Sequence, residues 1–176
     1  MPLLTPSESA DVSVRPAVRE DAVAIAGTQL RAWRTDHVEV LGTDVLDLID
    51  AGAVRERWTS AITEAPSPEH RVLVACDGPR VVGVAASVPV EDGIELTALE
   101  VDPDHQRSGH GSRLLAACVD LGRERGATVV STWVLDGDLA REQFLGGAGL
   151  GPDGSTRTLA TGPDREVTER RWIAQL

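Results

Sequence analysis

Two glutamates and a polar, glycine-bearing loop carry the chemistry open to this chain. The stretch from Glu95 to Gly126 reads ELTALEVDPDHQRSGHGSRLLAACVDLGRERG. An apolar run, Leu96 to Val101, stops at Asp102-Pro103. Gln106, Arg107 and Ser108 then lead into Gly109, His110, Gly111 and Ser112. Beyond them Leu114, Leu115, Cys118, Val119 and Leu121 recur at helical spacing. A strand that enters a glycine turn and opens a helix aims several unpaired N–H groups at one point, with the positive end of the helix dipole behind them. Such a junction binds anions, phosphate or diphosphate above all. A Cβ at Gly109 or Gly111 would hold a phosphate off the backbone. An ordinary strand-to-helix turn can need glycine for its geometry alone, and spacing does not separate the two. Two better-known phosphate motifs are excluded. Leu114 stands where a dinucleotide fingerprint needs its third glycine, and a P-loop needs a lysine, which the chain lacks altogether.

The elements that must position this junction follow from pattern. Val12 to Pro16 alternates like an edge strand. Glu20-Asp21 opens a helix whose apolar face is Ala22, Ile25, Ala26, Leu30 and Trp33. Further helical stretches run from Thr43 to Ile49 and from Val54 to Ala65, the latter ended by Pro66-Ser-Pro68. Strands Arg71 to Cys76 and Arg80 to Val90 flank the turn Asp77-Gly78-Pro79, and Glu91-Asp92-Gly93 turns into the central strand. Thr128 to Leu135 is a second apolar strand. Asp136-Gly-Asp138 caps a helix carrying Leu139, Gln143 and Phe144, which Gly146, Gly147 and Gly149 close. Thr156 to Ala160 and Arg165 to Ile173 form a last strand pair around Gly162-Pro163.

A chain of 176 residues suits one domain, with 1–11 expected as a loose leader. The net charge of −11 argues against nucleic acid, which wants a basic face. It favours a cationic partner by steering, and serves solubility equally well. Cys76 and Cys118 sit in apolar runs and read as core residues rather than a disulfide framework. The N-terminus lacks a signal-peptide pattern and no apolar run reaches membrane-span length, so the expectation is a cytoplasmic protein. The four histidines have no ligand spacing, so no metal site is expected. Tyrosine, lysine and asparagine are absent. Their codons are A/T-rich, which fits a GC-rich genome.

Val101-Asp102-Pro103 followed by Gln106-Arg107-Ser108-Gly109-His110-Gly111 resembles the signature of the GNAT superfamily of acyl-CoA-dependent N-acyltransferases. The element order resembles that fold along the whole chain. The resemblance implies an α/β fold with a central, mixed, mostly antiparallel sheet, a bulged and splayed middle strand, and flanking helices. It implies N-acetyl transfer from acetyl-CoA to a small-molecule or peptide amine by direct attack, and a homodimer is common in the family. The loop from Gln106 to Ser112 would hold the coenzyme A diphosphate. A strand amide near Leu99, Glu100 or Val101 would polarise the acyl carbonyl. Trp33 and His37 stand where relatives often carry Trp-x-x-x-Tyr, and would line the acceptor site; core packing for Trp33 and an exposed helix end for His37 is the alternative reading.

The reaction needs a base. An alkyl amine with pKa about 10.4 is neutral about once in a few thousand molecules at neutral pH. Glu95, matching a glutamate frequent in the family, and Glu100, beside the expected bulge, are the candidates. On a regular strand they point to opposite faces. Each can also be read as a solvated strand-end carboxylate. Trp133-Val134-Leu135, Asp138, Phe144-Leu145 and Gly149-Leu150 resemble a second family motif, with two departures. Asp138 replaces an Asn that contacts coenzyme A, and Leu145 replaces a Tyr that protonates the leaving thiolate. Compositional drift in a working enzyme and a non-catalytic acyl-CoA-binding module both account for this. A nucleotide-binding enzyme of other chemistry is a third reading.

Overall fold

The structure is a computed structural model that describes residues 12–176; the leader expected at 1–11 lies outside the described residues. Seven strands form one sheet: β1 (Val12–Pro16), β2 (Arg71–Asp77), β3 (Arg80–Val90), β4 (Gly93–Val101), β5 (Val129–Leu135), β6 (Gly151–Gly162) and β7 (Arg165–Gln175). Their order is β1-β2-β3-β4-β5-β7-β6. Among the described residues only β4 and β5 run parallel. The helix between them, α5 (His110–Arg123), makes the crossover that parallel strands require.

Alternation along the strands divides the core. On β2, Leu73 and Ala75 join one cluster while Val74 and Cys76 join the other. The first cluster packs under α5 through Leu114, Leu115 and Cys118. The second packs under α1 (Ala22–Asp36) and α4 (Ala51–Thr63) through Ile25, Leu30, Val54 and Trp58. Two short helices, α2 (Val38–Leu41) and α3 (Thr43–Asp47), link α1 to α4. The last helix, α6 (Leu139–Gly147), follows β5.

The expected element order holds, with local differences. The helix expected from Val54 starts at Ala51, because the Asp50 carboxylate accepts from the N–H groups of Gly52 (2.7 Å) and Ala53 (3.1 Å). β6 extends from Gly151 to Gly162, with register shifts after Pro152 and Ala160. Leu139, on the expected helix, is 73% exposed; Leu145 is the fully buried leucine of α6. The largest difference lies in β4. Ser87 pairs with Leu96 and Ala86 with Ala98, so Thr97 is an extra, unpaired residue. This bulge shifts the alternation by one. Leu99 therefore joins Ile94 and Leu96 in the core under α5. Glu95 and Glu100 consequently share the opposite face, which corrects the expectation for a regular strand.

Candidate active site

The site grows from the point where β4 and β5 part. Their ladder covers only Gly93 to Leu96 against Val129 to Thr132. Gly93 makes this closure possible: a Cβ there would lie 1.8 Å from the Val129 carbonyl oxygen. Past Leu96, β4 keeps only β3 as neighbour. The Leu99 carbonyl accepts from an Arg141 guanidinium N–H, and the Val101 carbonyl from Gln106 Nε2 at 3.3 Å. In a strand the N–H and C=O of one residue project to the same side. The amides of Leu99 and Val101 therefore also face the gap.

At the end of β4 the chain is tied to α1. Asp102, buried, accepts from Arg31 at 2.8 Å and caps a short 3-10 turn, Pro103–His105, through the Asp104 N–H at 3.0 Å. Arg31 also holds Asp104, keeping that carboxyl below the ordinary carboxylate range. Gln106 Nε2 donates to Asp36 at 3.1 Å. Arg107 (φ +61°) and Gly109 (φ +82°) then adopt left-handed backbone. Such residues turn successive N–H groups into a concave anion nest. Among the described residues, the N–H groups from Arg107 to Ser112 donate no hydrogen bond. His110 is the first residue of α5 and is buried, and burial pushes its imidazole below the ordinary histidine range. At neutral pH it offers an anion its backbone amide rather than a charge. A Cβ on Gly111 would make ordinary contact with Phe144 (3.5 Å) and Val101 (3.7 Å). Gly109 is thus the glycine whose conformation the loop requires; Gly111 has room for a methyl.

The gap opens into a cleft of about 240 Å³ between β4, β5, α1, α6 and the β6–β7 hairpin. Trp33, His37, Leu99, Glu100 and Asp138 line it. Both Glu100 oxygens are engaged: Oε1 accepts from Trp33 Nε1 at 3.2 Å and Oε2 from Arg141 at 3.0 Å. Glu95 lies outside the cleft lining, and its Oε2 accepts from Trp133 Nε1 at 3.2 Å. Asp138 caps α6, accepting from the Arg141 N–H at 3.0 Å, and its other oxygen lies 3.4 Å from His37 Nδ1. Leu145, at the motif position where relatives carry Tyr, is in the core with Leu150 and Trp172. Phe144 is the residue of that pair that reaches the loop.

The cleft also brings in residues that the sequence reading passed over. Arg141 carried no signal in its spacing. Trp133 lay inside a motif without an assigned role. The Arg157 guanidinium stacks over the Trp133 ring at 4.4 Å and pairs with Glu169. A larger cavity of about 320 Å³ lies at the other end of β4, among Gly93, Ile94, Cys118 and Gly122. It touches neither the loop nor the gap, so size does not identify the site here.

Residues 30–148 match the model of the Acetyltransferase (GNAT) family. The chain is 30% identical over 132 residues to the uncharacterized N-acetyltransferase YuaI of Bacillus subtilis (strain 168), across 71% of this chain and 72% of that protein. The PaiA N-acetyltransferase of Thermoplasma acidophilum, solved in complex with coenzyme A, superposes with a TM-score of 0.77 at 13% identity, covering 94% of this chain and 99% of that one. The ribosomal-protein-S18-alanine N-acetyltransferase of Escherichia coli superposes with 0.69 at 16% identity, covering 93% of each. At such identities the two solved structures establish the fold alone.

Proposed function

This chain belongs to the GNAT acetyltransferase family, and from that premise we propose that it moves an acetyl group from acetyl-CoA to a primary amine by direct attack. Family membership favours the enzyme over a binding module. The observation that carries the reading is the row of unpaired amides from Arg107 to Ser112 at the mouth of the gap in the sheet. Those amides, with the α5 dipole behind them, suit a diphosphate. In this reading the loop from Gln106 to Ser112 holds the diphosphate, and the acyl-bearing arm lies along the unpaired side of β4. The Leu99 or Val101 amide polarises the thioester carbonyl, an oxyanion contact aimed where charge develops. Glu100 frames the cleft by fixing Trp33 and Arg141.

The amine enters past Trp33 and His37. Glu100, Asp138 and Glu169 on the cleft walls suit a cationic acceptor, small molecule or peptide terminus. A cytosolic setting belongs to the same reading, supported by two buried free thiols. Calorimetric titration with acetyl-CoA, ATP and NAD, followed by coenzyme A release with polyamines, amino acids, antibiotics and peptides, tests the proposal. The expected result is preference for acetyl-CoA and turnover with at least one amine class. Equal affinity for ATP or NAD, or binding without turnover across the panel, would overturn it.

A further inference from the structure

The cleft contains five ionisable side chains: His37, Glu100, Asp138, Arg141 and Glu169. Four of them are committed. Glu100 holds Trp33 and Arg141. Asp138 caps α6, and Glu169 holds Arg157. Arg141 spans the Leu99 carbonyl and Glu100. A carboxylate that took a proton would lose its charge and so weaken the contact to its guanidinium or capped N–H. His37 has no such commitment. It ends α1 and is 6% exposed, its ring centroid 6.5 Å from that of Trp33. Among the described residues its Nδ1, sealed from solvent, has no hydrogen-bond partner, and Asp138 Oδ2, at 3.4 Å, is the carboxylate beside it. A buried, unpaired polar atom in a native site calls for a reason. An imidazole whose Nδ1–H faces a carboxylate keeps its Nε2 lone pair as proton acceptor. Catalytic hydrogen bonds are often long before substrate binds and tighten afterwards.

We propose that His37, oriented by Asp138, is the proton relay of the transfer. This rests on the acetyl-transfer reading above. The neutral amine nitrogen forms a bond to the thioester carbon, and its surplus proton passes to His37 Nε2. The C–S bond then breaks, sulfur keeps the electron pair, and the imidazolium returns the proton to the thiolate. Amine and acetyl thioester become amide and free thiol, and the histidine ends as it began. One side chain thus covers both proton transfers in a chain with no tyrosine. Asp138 is a positioning residue: it selects the tautomer and holds the ring.

The test compares His37→Gln, His37→Ala and Asp138→Asn with the parent in coenzyme A release, acetyl-CoA affinity and thermal midpoint. His37→Gln is expected to lower kcat by about 10²–10⁴-fold, with KM for acetyl-CoA and its affinity within threefold. Added imidazole is expected to restore at least tenfold of the loss in His37→Ala and none in Asp138→Asn. Asp138→Asn keeps a side-chain oxygen for the cap, so its midpoint stays put while kcat falls at least tenfold. A kcat within threefold of the parent in His37→Gln would overturn the relay and leave the transfer reading intact. A fall in acetyl-CoA affinity parallel to kcat would also overturn it, assigning His37 a structural role. A parent that binds acetyl-CoA but acetylates no amine would overturn both.

Discussion

The two halves of β4 hold the same pair of side chains in opposite settings. In the first half β4 is zipped to β5, and Glu95 accepts from the indole of Trp133, a residue of β5 itself. In the second half β5 has left. Glu100 accepts from Trp33 at the same 3.2 Å, but this indole comes from α1, and a guanidinium from α6 takes the other oxygen. A strand that keeps its neighbour draws its partners from the sheet. A strand that loses it must recruit helices, and helices spaced around a gap enclose a cleft. The bulge at Thr97 links the halves, since it turns both glutamates to one face and Leu99 to the core.

The contrast breaks most readily at the closed end. Gly93→Ala would drive a Cβ into the Val129 carbonyl, 1.8 Å away, and backbone cannot yield as a side chain does. Overpacking of this kind costs about 3 kcal/mol, so the thermal midpoint is expected to fall by about 6–12 °C. A midpoint within 2 °C of the parent, roughly half a kcal/mol on the same scale, would mean that the ladder does not depend on this glycine.

Exchanging the glutamates sharpens the comparison. Glu100 is 7% exposed, and Glu100→Ala leaves a mostly buried guanidinium unpaired, at a cost of about 3 kcal/mol. Glu95→Ala frees one half-buried indole N–H and costs about 1 kcal/mol. Urea midpoints of the two variants measure the difference directly. Equal losses would show that the open half binds its carboxylate no more tightly than the closed half.

Much of this arrangement was legible in the amino-acid sequence, for reasons that also explain what was not. The strand–loop–helix junction announces itself because proline, glycine and helical periodicity each leave a mark on composition. The bulge was expected only from the resemblance, and its position leaves no mark: Thr97 is an acceptable strand residue, and only the partner strand reveals that it is unpaired. The reading that put Glu95 and Glu100 on opposite faces held only for a regular strand. Leu139 and Leu145 look alike by type, and the packing of α6 against Leu150 and Trp172 decides which is core. Arg141 and the pairing of His37 with Asp138 depend on how the end of α1 meets the start of α6, about a hundred residues away, a tertiary fact outside the reach of local pattern.

The closed end also carries a pH signature. Cys118 lines the cavity beside Gly93, and burial pushes its thiol up to about 11 from 9.0, against a weaker opposing hydrogen bond from Ser87. The folded state favours the neutral thiol, so the unfolded chain releases its proton first. Stability therefore holds below about pH 9 and declines as pH climbs toward 11. Two pKa units correspond to about 2–3 kcal/mol across that window. The chain has neither lysine nor tyrosine, the residue types whose ordinary values fall between about pH 10 and 11. Urea unfolding from pH 8.5 to 11 should show the decline in the parent and a much flatter profile in Cys118→Ala. The same slope in both would place the titration elsewhere.

The smallest expected effect separates the two ends of α5. Gly109 enters the helix at φ +82°, and Gly126 lies past its end at φ +84°. A side chain in that conformation costs about 1–2 kcal/mol at either place. Around Gly126 a Cβ meets nothing within 4 Å, while at Gly109 it meets only the flexible tip of Arg113. Folding stability should thus respond alike to Gly109→Val and Gly126→Val, by about 1–2 kcal/mol each. Ligand binding should not. If the amides from Arg107 to Ser112 receive the diphosphate, a branched side chain in their midst lowers acetyl-CoA affinity about tenfold, equivalent to about 1.4 kcal/mol, and Gly126→Val leaves it unchanged. Calorimetry on both variants at one ionic strength isolates the difference, because strain common to the pair cancels. Equal affinities would detach the diphosphate from this loop while leaving the fold as described.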